Sequence, residues 1–281
     1  MRILVTGKNG QLGRSIHKIV NTDTNIDNNQ SPNDFIFVDR EDLDLSSESN
    51  ISHYFKNNKF DIIINCAAYT QVDRAEQEAE LANQINHLAV KQLASIASNQ
   101  QARLIHISTD YVFDGESDKP YIETDTPNPI NVYGRTKLSG EKALQALRPI
   151  NTLIIRTSWL YSEYGNNFVK TMLKLGQERD SLNVIFDQIG TPTYAKDLAK
   201  NIMSIVQSQE FQQPDFTTNI VHYSNEGVCS WYDFAKTIFE LANIQCHVSA
   251  IETKGYPTLA KRPLYSVLNK SKIKQTYHLA I

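Results

Sequence analysis

The stretch Arg2-Ile3-Leu4-Val5-Thr6-Gly7-Lys8-Asn9-Gly10-Gln11-Leu12-Gly13 decides the fold of this chain. A short apolar, partly β-branched run ends at Gly7, glycine then recurs at every third position, and an apparent helix covers residues 14–20. Glycines at this spacing let the backbone turn tightly and approach a pyrophosphate, whose charge rests against the N–H groups of the helix start. Strand, glycine turn and helix in this order predict a dinucleotide site made by Gly7, Gly10 and Gly13.

The pattern repeats downstream. Residues 21–34 are rich in Asn, Asp, Thr, Ser and Pro and read as a surface loop inserted before the second strand, Phe35–Val38. That strand ends at Asp39-Arg40. An acid there accepts from the adenosine ribose hydroxyls and favours NADH, whereas the guanidinium beside it attracts a 2′-phosphate and favours NADPH, so the pair predicts use of both. Asp42-Leu43-Asp44-Leu45 reads as a short edge strand or turn, with Asp44 and Leu45 flanking the adenine. Residues 61–65 form an all-apolar strand of the kind found in covered parallel sheets. It runs into Cys66-Ala67-Ala68-Tyr69-Thr70, whose small residues leave room for a flat ligand. Helical spacing holds from Val72 to about Asn99, and residues 103–108 form the next strand. Together these alternations predict an α/β protein with a Rossmann-like doubly wound parallel sheet.

A second cluster is chemical. Tyr133 and Lys137 stand four residues apart on a predicted helix, residues 131–147, and therefore share a face. A cation beside a phenol lowers its pKa from ~10 toward the working range of a proton carrier. Thr109 and Asp110, after the strand 103–108, arrive at the same sheet edge.

With 281 residues the chain can bury a large core, and 41% hydrophobic with 21% charged residues is ordinary for a soluble protein. No apolar run approaches the roughly 18 residues of a membrane span. The first run is shorter than a signal peptide's apolar region, which points to the cytoplasm. Three cysteines, Cys66, Cys229 and Cys246, suggest neither a disulfide framework nor a metal site. A net charge of −3 without a basic run argues against nucleic acid.

Thr109, Tyr133 and Lys137 behind this glycine turn resemble the catalytic triad of the extended short-chain dehydrogenase/reductase superfamily. Four blocks, residues 108–115, 131–137, 156–161 and 187–193, together with Gly165-Asn166-Asn167-Phe168, resemble the dTDP-4-dehydrorhamnose reductase family. The resemblance implies reduction of a dTDP-4-keto sugar by NADPH or NADH. It implies that Gly10, Gln11, Leu12, Asp39, Asp44, Leu45, Ala67, Ala68 and Tyr69 contact the cofactor together with Tyr133 and Lys137, the latter holding the nicotinamide ribose, and that Thr109, Asp110 and Trp159 contact the substrate. Tyr111 stands where related dehydratases carry Glu, which disfavours elimination. Some members of the family dimerise through carboxylate-bound Mg2+, and Ser15 stands where one carboxylate would be. A monomer or weak homodimer without metal is therefore expected. Two other outcomes compatible with the resemblance are the epimeric dTDP-6-deoxy-L-talose product and a non-catalytic NADP-binding regulatory subunit.

Residues 1–156 and 190–224 are expected to form the nucleotide-binding domain, and 157–189 with 225–281 a smaller, mixed α/β substrate-binding domain. In the latter, Arg262 is a candidate for the nucleotide pyrophosphate, and Trp231 reads as packing. Family members continue with another helix where this sequence stops at Ile281, and Tyr277, Leu279 and Ile281 are expected to dock the final segment.

Overall fold

The computed structural model describes residues 1–22, 33–147 and 151–281. Its first half alternates strand and helix: β1 (Arg2–Thr6), α1 (Gln11–Thr22), β2 (Asp34–Val38), α2 (Glu48–Lys56) and β3 (Ile62–Asn65). Three helices follow, α3 (Val72–Ala75), α4 (Ala79–Asn83) and α5 (Ala89–Gln100), before β4 (Arg103–Thr109), α6 (Val132–Ala146) and β5 (Thr152–Thr157). The second half adds β6 (Leu160–Tyr161), α7 (Phe168–Glu178), β7 (Ser181–Ile185), β8 (Ile189–Gly190), β9 (Thr193–Tyr194), α8 (Ala195–Gln207), α9 (Gln209–Gln212) and β10 (Asn219–Tyr223). It closes with β11 (Cys229–Ser230), α10 (Trp231–Leu241), β12 (His247–Ile251) and α11 (Ser271–Tyr277).

Six parallel strands in the order β10-β5-β4-β3-β1-β2 form the central sheet. Two cores cover its faces. On one, Ile3, Val5 and Ile64 pack with Ile16 of α1 and Leu198, Ile202 and Val206 of α8. On the other, Leu4, Ile63 and Leu104 pack with Ile51 of α2, Leu93 of α5 and Leu144 of α6. Burial of both strand faces explains the unbroken apolar runs. The chain leaves β2 at one side of β1 and returns to β3 on the other, so the strand order reverses there. Its crevice at the carboxyl ends is where open α/β sheets bind ligands.

A separate core joins Met172 of α7, Leu182 and Val184 of β7, and Ala235, Ile238 and Phe239 of α10. There β7 and β12 pair in parallel. The final segment docks as expected: Tyr277 is buried, and Leu279 and Ile281 pack against the first sheet core. No described helix is long and apolar enough to cross a membrane.

Of four local expectations two are corrected, one resolves to its turn alternative, and one lies outside the described residues. Helix α1 begins at Gln11, three residues before residue 14. Residues 42–45 form turns, with Ser47 N–H donating to Asp44 O at 3.1 Å. The helical stretch from Val72 is broken into short pieces with a π-helical turn at Gln84–Leu88. There Asn86 is buried and uses its side chain on both Tyr69 and Thr136 instead of continuing a regular face. The polar insertion falls largely on residues 23–32, outside the described residues.

Candidate active site

At the carboxyl edge of the sheet lies a cavity of about 780 Å³, lined by Gly7, Gly10, Gln11 and Leu12 of the glycine turn and by Thr109, Asp110, Tyr133, Lys137, Trp159 and Trp231. The glycine turn is shaped for close approach. Gly7 has φ +72°, and a Cβ there would lie 3.0 Å from Ala67 N. Gly13 stands outside the wall. A Cβ on it would lie 2.3 Å from Gly7 O, so its bareness lets α1 pack on the turn. The first N–H groups of α1 have no partner within the helix and face the cavity, an anion site by geometry. The residues therefore fit a dinucleotide.

Around β2, Asp39, Arg40, Asp44 and Leu45 all reach the wall. Asp39 accepts from Asn9 Nδ2 at 2.8 Å and lies 3.1 Å from Lys8 Nζ, which also pairs with Asp42 at 2.6 Å. The Lys8 ammonium holds the Asp39 carboxyl below its usual range. Arg40 is largely exposed, 3.5 Å from both Asp44 and Ser46. Lys8, which sequence reasoning passed over, thus offsets the acid that repels a 2′-phosphate.

Ala67 and Ala68 line the cavity, but Tyr69 does not. Its hydroxyl turns away to donate to Glu78 at 2.6 Å. Its backbone is gripped by Asn86, whose Oδ1 accepts from Tyr69 N and whose Nδ2 donates to Tyr69 O and to Thr136 Oγ1. The π-turn thereby ties the strand-end segment to α6. Gly140 permits the approach, since a Cβ there would lie 2.3 Å from Asn86 O.

Helix α6 is capped by Asn131, whose side chain accepts from Gly134 N at 2.8 Å. One turn in, Tyr133 packs edge-on against Tyr111 at 5.8 Å. Burial pushes the Tyr133 phenol up to about 12, opposed by the Thr109 hydroxyl and reinforced by the Asp110 charge. The expectation that Lys137 lowers it is corrected: desolvation dominates, and the Lys137 ammonium is aimed elsewhere. Nζ donates to Ile107 O at 2.6 Å and lies 3.2 Å from His106 Nε2. Burial brings this amine down to about 8, with Glu141 opposing. Glu141 in turn holds Arg156 of β5, with Nη2–Oε2 at 2.7 Å, and accepts from Ser108 Oγ. This buried pair fastens the catalytic face of α6 to β4 and β5.

The Thr109 hydroxyl donates to Asp110 Oδ1 at 2.9 Å. Oδ2 of Asp110 is buried with no well-formed hydrogen bond, and burial raises this carboxyl to about 6, opposed by the Ser266 and Thr109 hydroxyls. Trp159 adopts φ +46°, a left-handed backbone rare for so large a residue. Its ring stacks on Trp231 at 3.5 Å and lies over Gly190, where a Cβ would meet Cε2 at 2.6 Å. Trp231 packs against the core of α7, β7 and α10 as expected, and also reaches the wall beside Trp159. Arg262 is not in the wall: its guanidinium pairs with Asp73 at 2.6 Å and donates to Ala260 O. Ser15 donates back to Gln11 O within α1. Among the described residues no group of three or more His, Cys, Asp or Glu could hold a metal ion.

A doubly wound sheet with a glycine-rich first turn and a Thr–Tyr–Lys group at the same edge defines a nicotinamide-dependent oxidoreductase of the short-chain type. The chain belongs to the family described as RmlD substrate binding domain, whose model matches residues 1–281. A dTDP-4-dehydrorhamnose reductase of Aggregatibacter actinomycetemcomitans is 42% identical over 98% of this chain and 93% of its own. The crystal structure of a dTDP-4-dehydrorhamnose reductase from Clostridium acetobutylicum superposes with TM-score 0.88 at 42% identity, covering 98% and 92% of the two chains. One from Bacillus anthracis, in complex with NADP, does so with TM-score 0.86 at 38% identity, covering 98% and 92%.

Proposed function

We propose that this chain reduces the 4-keto group of dTDP-4-dehydro-L-rhamnose with NADPH or NADH, giving dTDP-L-rhamnose for cell-surface polysaccharide of the O-antigen type. The observation that carries the reading is a half-buried phenol, Tyr133, beside the Thr109 hydroxyl in the cavity that the glycine turn also lines. We take residues 1–156 and 190–224 as the cofactor-binding domain and 157–189 with 225–281 as the substrate-binding domain. The protein acts in the cytoplasm as a monomer or weak homodimer, and the reading assigns no role to Mg2+.

Bound NAD(P)H supplies the hydride to C4. The residues that would hold it are Gly7, Gly10, Gln11, Leu12, Asp39, Arg40, Asp44, Leu45, Ala67 and Ala68. A phenol held above neutrality stays protonated, so Tyr133 enters each turnover loaded and gives its proton to the C4 alkoxide. Thr109, turning its one proton from Asp110 Oδ1 to the substrate, donates to the same oxygen and steadies its charge as it develops. Lys137, cationic below about pH 8 and hydrogen-bonded to Ile107 O, acts on the phenolate left on Tyr133 only as a nearby positive charge and not as a hydrogen-bond partner. Asp110 Oδ2, which has no well-formed hydrogen bond, accepts a sugar hydroxyl, and the Trp159–Trp231 pair supplies a flat apolar wall. The low-exposure Tyr111, standing where a dehydratase base would be, leaves no carboxylate there for elimination.

Oxidation of NAD(P)H by purified protein supplied with dTDP-4-dehydro-L-rhamnose tests the reading. Sustained turnover supports it. Retained cofactor binding without turnover would instead favour a non-catalytic subunit.

A further inference from the structure

Behind the cavity floor, a chain of buried polar groups runs from Lys137 across three strands. His106 Nε2 lies 3.2 Å from Lys137 Nζ, and its Nδ1 lies 3.1 Å from Asn65 Nδ2. Asn65 Oδ1 accepts from Thr6 Oγ1 at 2.7 Å, which in turn accepts from Ala67 N at 3.2 Å. His106 and Asn65 are inaccessible, whereas Lys137 and Thr6 reach the cavity. We propose that His106 is a positioning residue for Lys137: it fixes the amine nitrogen beneath the cavity and, through Asn65 and Thr6, adapts to whether that nitrogen is charged.

With Asn65 Oδ1 facing Thr6, its amide NH2 faces His106, so Nδ1 accepts and Nε2 carries the proton of a neutral imidazole. That proton points at Lys137, an arrangement satisfied by a neutral amine. A charged ammonium needs the opposite: a bare Nε2, a proton on Nδ1, and Asn65 rotated to offer its oxygen. Thr6 Oγ1 then accepts from Asn65 and turns its own proton to the cavity it lines. Either arrangement satisfies the His106–Lys137 contact, and neither requires a charged imidazole. Burial and the Lys137 charge hold His106 well below its ordinary range, so it remains neutral throughout. The other ionisable group acting on this pair is Glu141 on α6, itself paired with Arg156 on β5; Tyr133 on α6, Asp110 after β4 and Cys66 after β3 line the same cavity as Lys137, and burial keeps the Cys66 thiol protonated. Glu141 favours the ammonium, and His106 is the neutral group that can serve both forms.

The inference rests on the reading of Tyr133 and Lys137 as the reductase acid and its cation, and it is tested without relying on turnover. In the full chain labelled with 15N-histidine, the His106 signals, assigned by their loss in His106→Gln, should pass from Nδ1-protonated to Nε2-protonated between about pH 6 and about pH 10. The midpoint should fall where Lys137 titrates. A single tautomer across that range overturns the proposal. In kinetics, His106→Phe removes an acceptor from the ammonium, so the alkaline limb of kcat/KM should move down by at least about half a pH unit. His106→Gln, which keeps an acceptor oxygen, should restore most of that shift. An unmoved limb in a folded, NADPH-binding His106→Phe protein refutes the role. An inactive wild type with a titrating His106 tautomer would sink the proposed function and leave this inference standing.

Discussion

Replacing Glu141 by glutamine should destabilise the protein by far more than the loss of one surface ion pair, and the structure sets the magnitude. Glu141 is fully buried, and its partner Arg156 is 2% exposed. The carboxylate takes Nε at 3.0 Å and Nη2 at 2.7 Å, and also accepts from Ser108. Glutamine keeps the shape and one acceptor oxygen but removes the charge, leaving the guanidinium buried without a counter-ion beside His222 Nε2, 3.4 Å from Nη1, and the face of Phe113, 5.1 Å away. Breaking a buried pair by removing one partner costs about 3–5 kcal/mol, because the other charge stays out of water uncompensated. With a urea slope of roughly 3 kcal/mol per molar, a loss of about 4 kcal/mol lowers the unfolding midpoint by about 1.3 M. Circular dichroism in urea reads this directly. Adding Arg156→Met should recover at least ~1 kcal/mol of the loss, since the stranded charge is then gone. A loss below ~1 kcal/mol for Glu141→Gln, or strict additivity in the double variant, would refute the claim that this pair fastens α6 to the sheet.

Tyr133→Phe should lower kcat by ~10²–10⁴ while leaving the dissociation constant for NADPH within a few-fold, measured by steady-state kinetics and fluorescence titration. Lys8→Ala, by unmasking Asp39, and Arg40→Ala, by removing the nearby cation, should each shift the NADPH/NADH ratio of kcat/KM toward NADH. An unchanged ratio in both would mean that neither cation meets a 2′-phosphate. The profile of kcat/KM against pH should be bell-shaped. Asp110 must be ionised to accept a hydroxyl, so activity rises through about pH 6; Lys137 must be protonated, so it falls through about pH 8. Asp110→Asn should abolish the acid limb and leave the alkaline one. Gly190→Ala would drive a methyl into the Trp159 ring and should raise KM for the sugar nucleotide at least ~10-fold with little effect on cofactor binding.

The doubly wound sheet was legible because its signals are local: Gly7, Gly10 and Gly13 sit directly after an apolar strand, and β1, β3 and β4 carry runs that suit burial on both faces. The same locality placed Tyr133 and Lys137 on one helical face and Thr109 at a strand end. What escaped depends on partners distant in sequence. Nothing near His106 or Asn65 shows that Lys137 will reach across to them. Nor does Arg262 reveal that Asp73, 189 residues away, will claim its guanidinium. The direction of the Tyr133 shift was misread for the same reason, because spacing shows a neighbouring cation but not the burial that outweighs it. Asn86 was hidden because its π-turn interrupts the period on which helix reading relies. An alternating polar contact was the one available sign at Trp231: the Ser230 cap with Asp233, which starts α10 and delivers the indole to Trp159.

Hydride reduction at C4 with protonation by Tyr133 is tested most directly by proton NMR of the product. Purified protein incubated with NADPH and dTDP-4-dehydro-L-rhamnose should give dTDP-L-rhamnose, with the proton at C4 coupled as the manno configuration requires, and should consume one NADPH per product. Formation of dTDP-6-deoxy-L-talose would show hydride arriving on the opposite face, and unchanged keto sugar beside bound NADPH would contradict the claim outright.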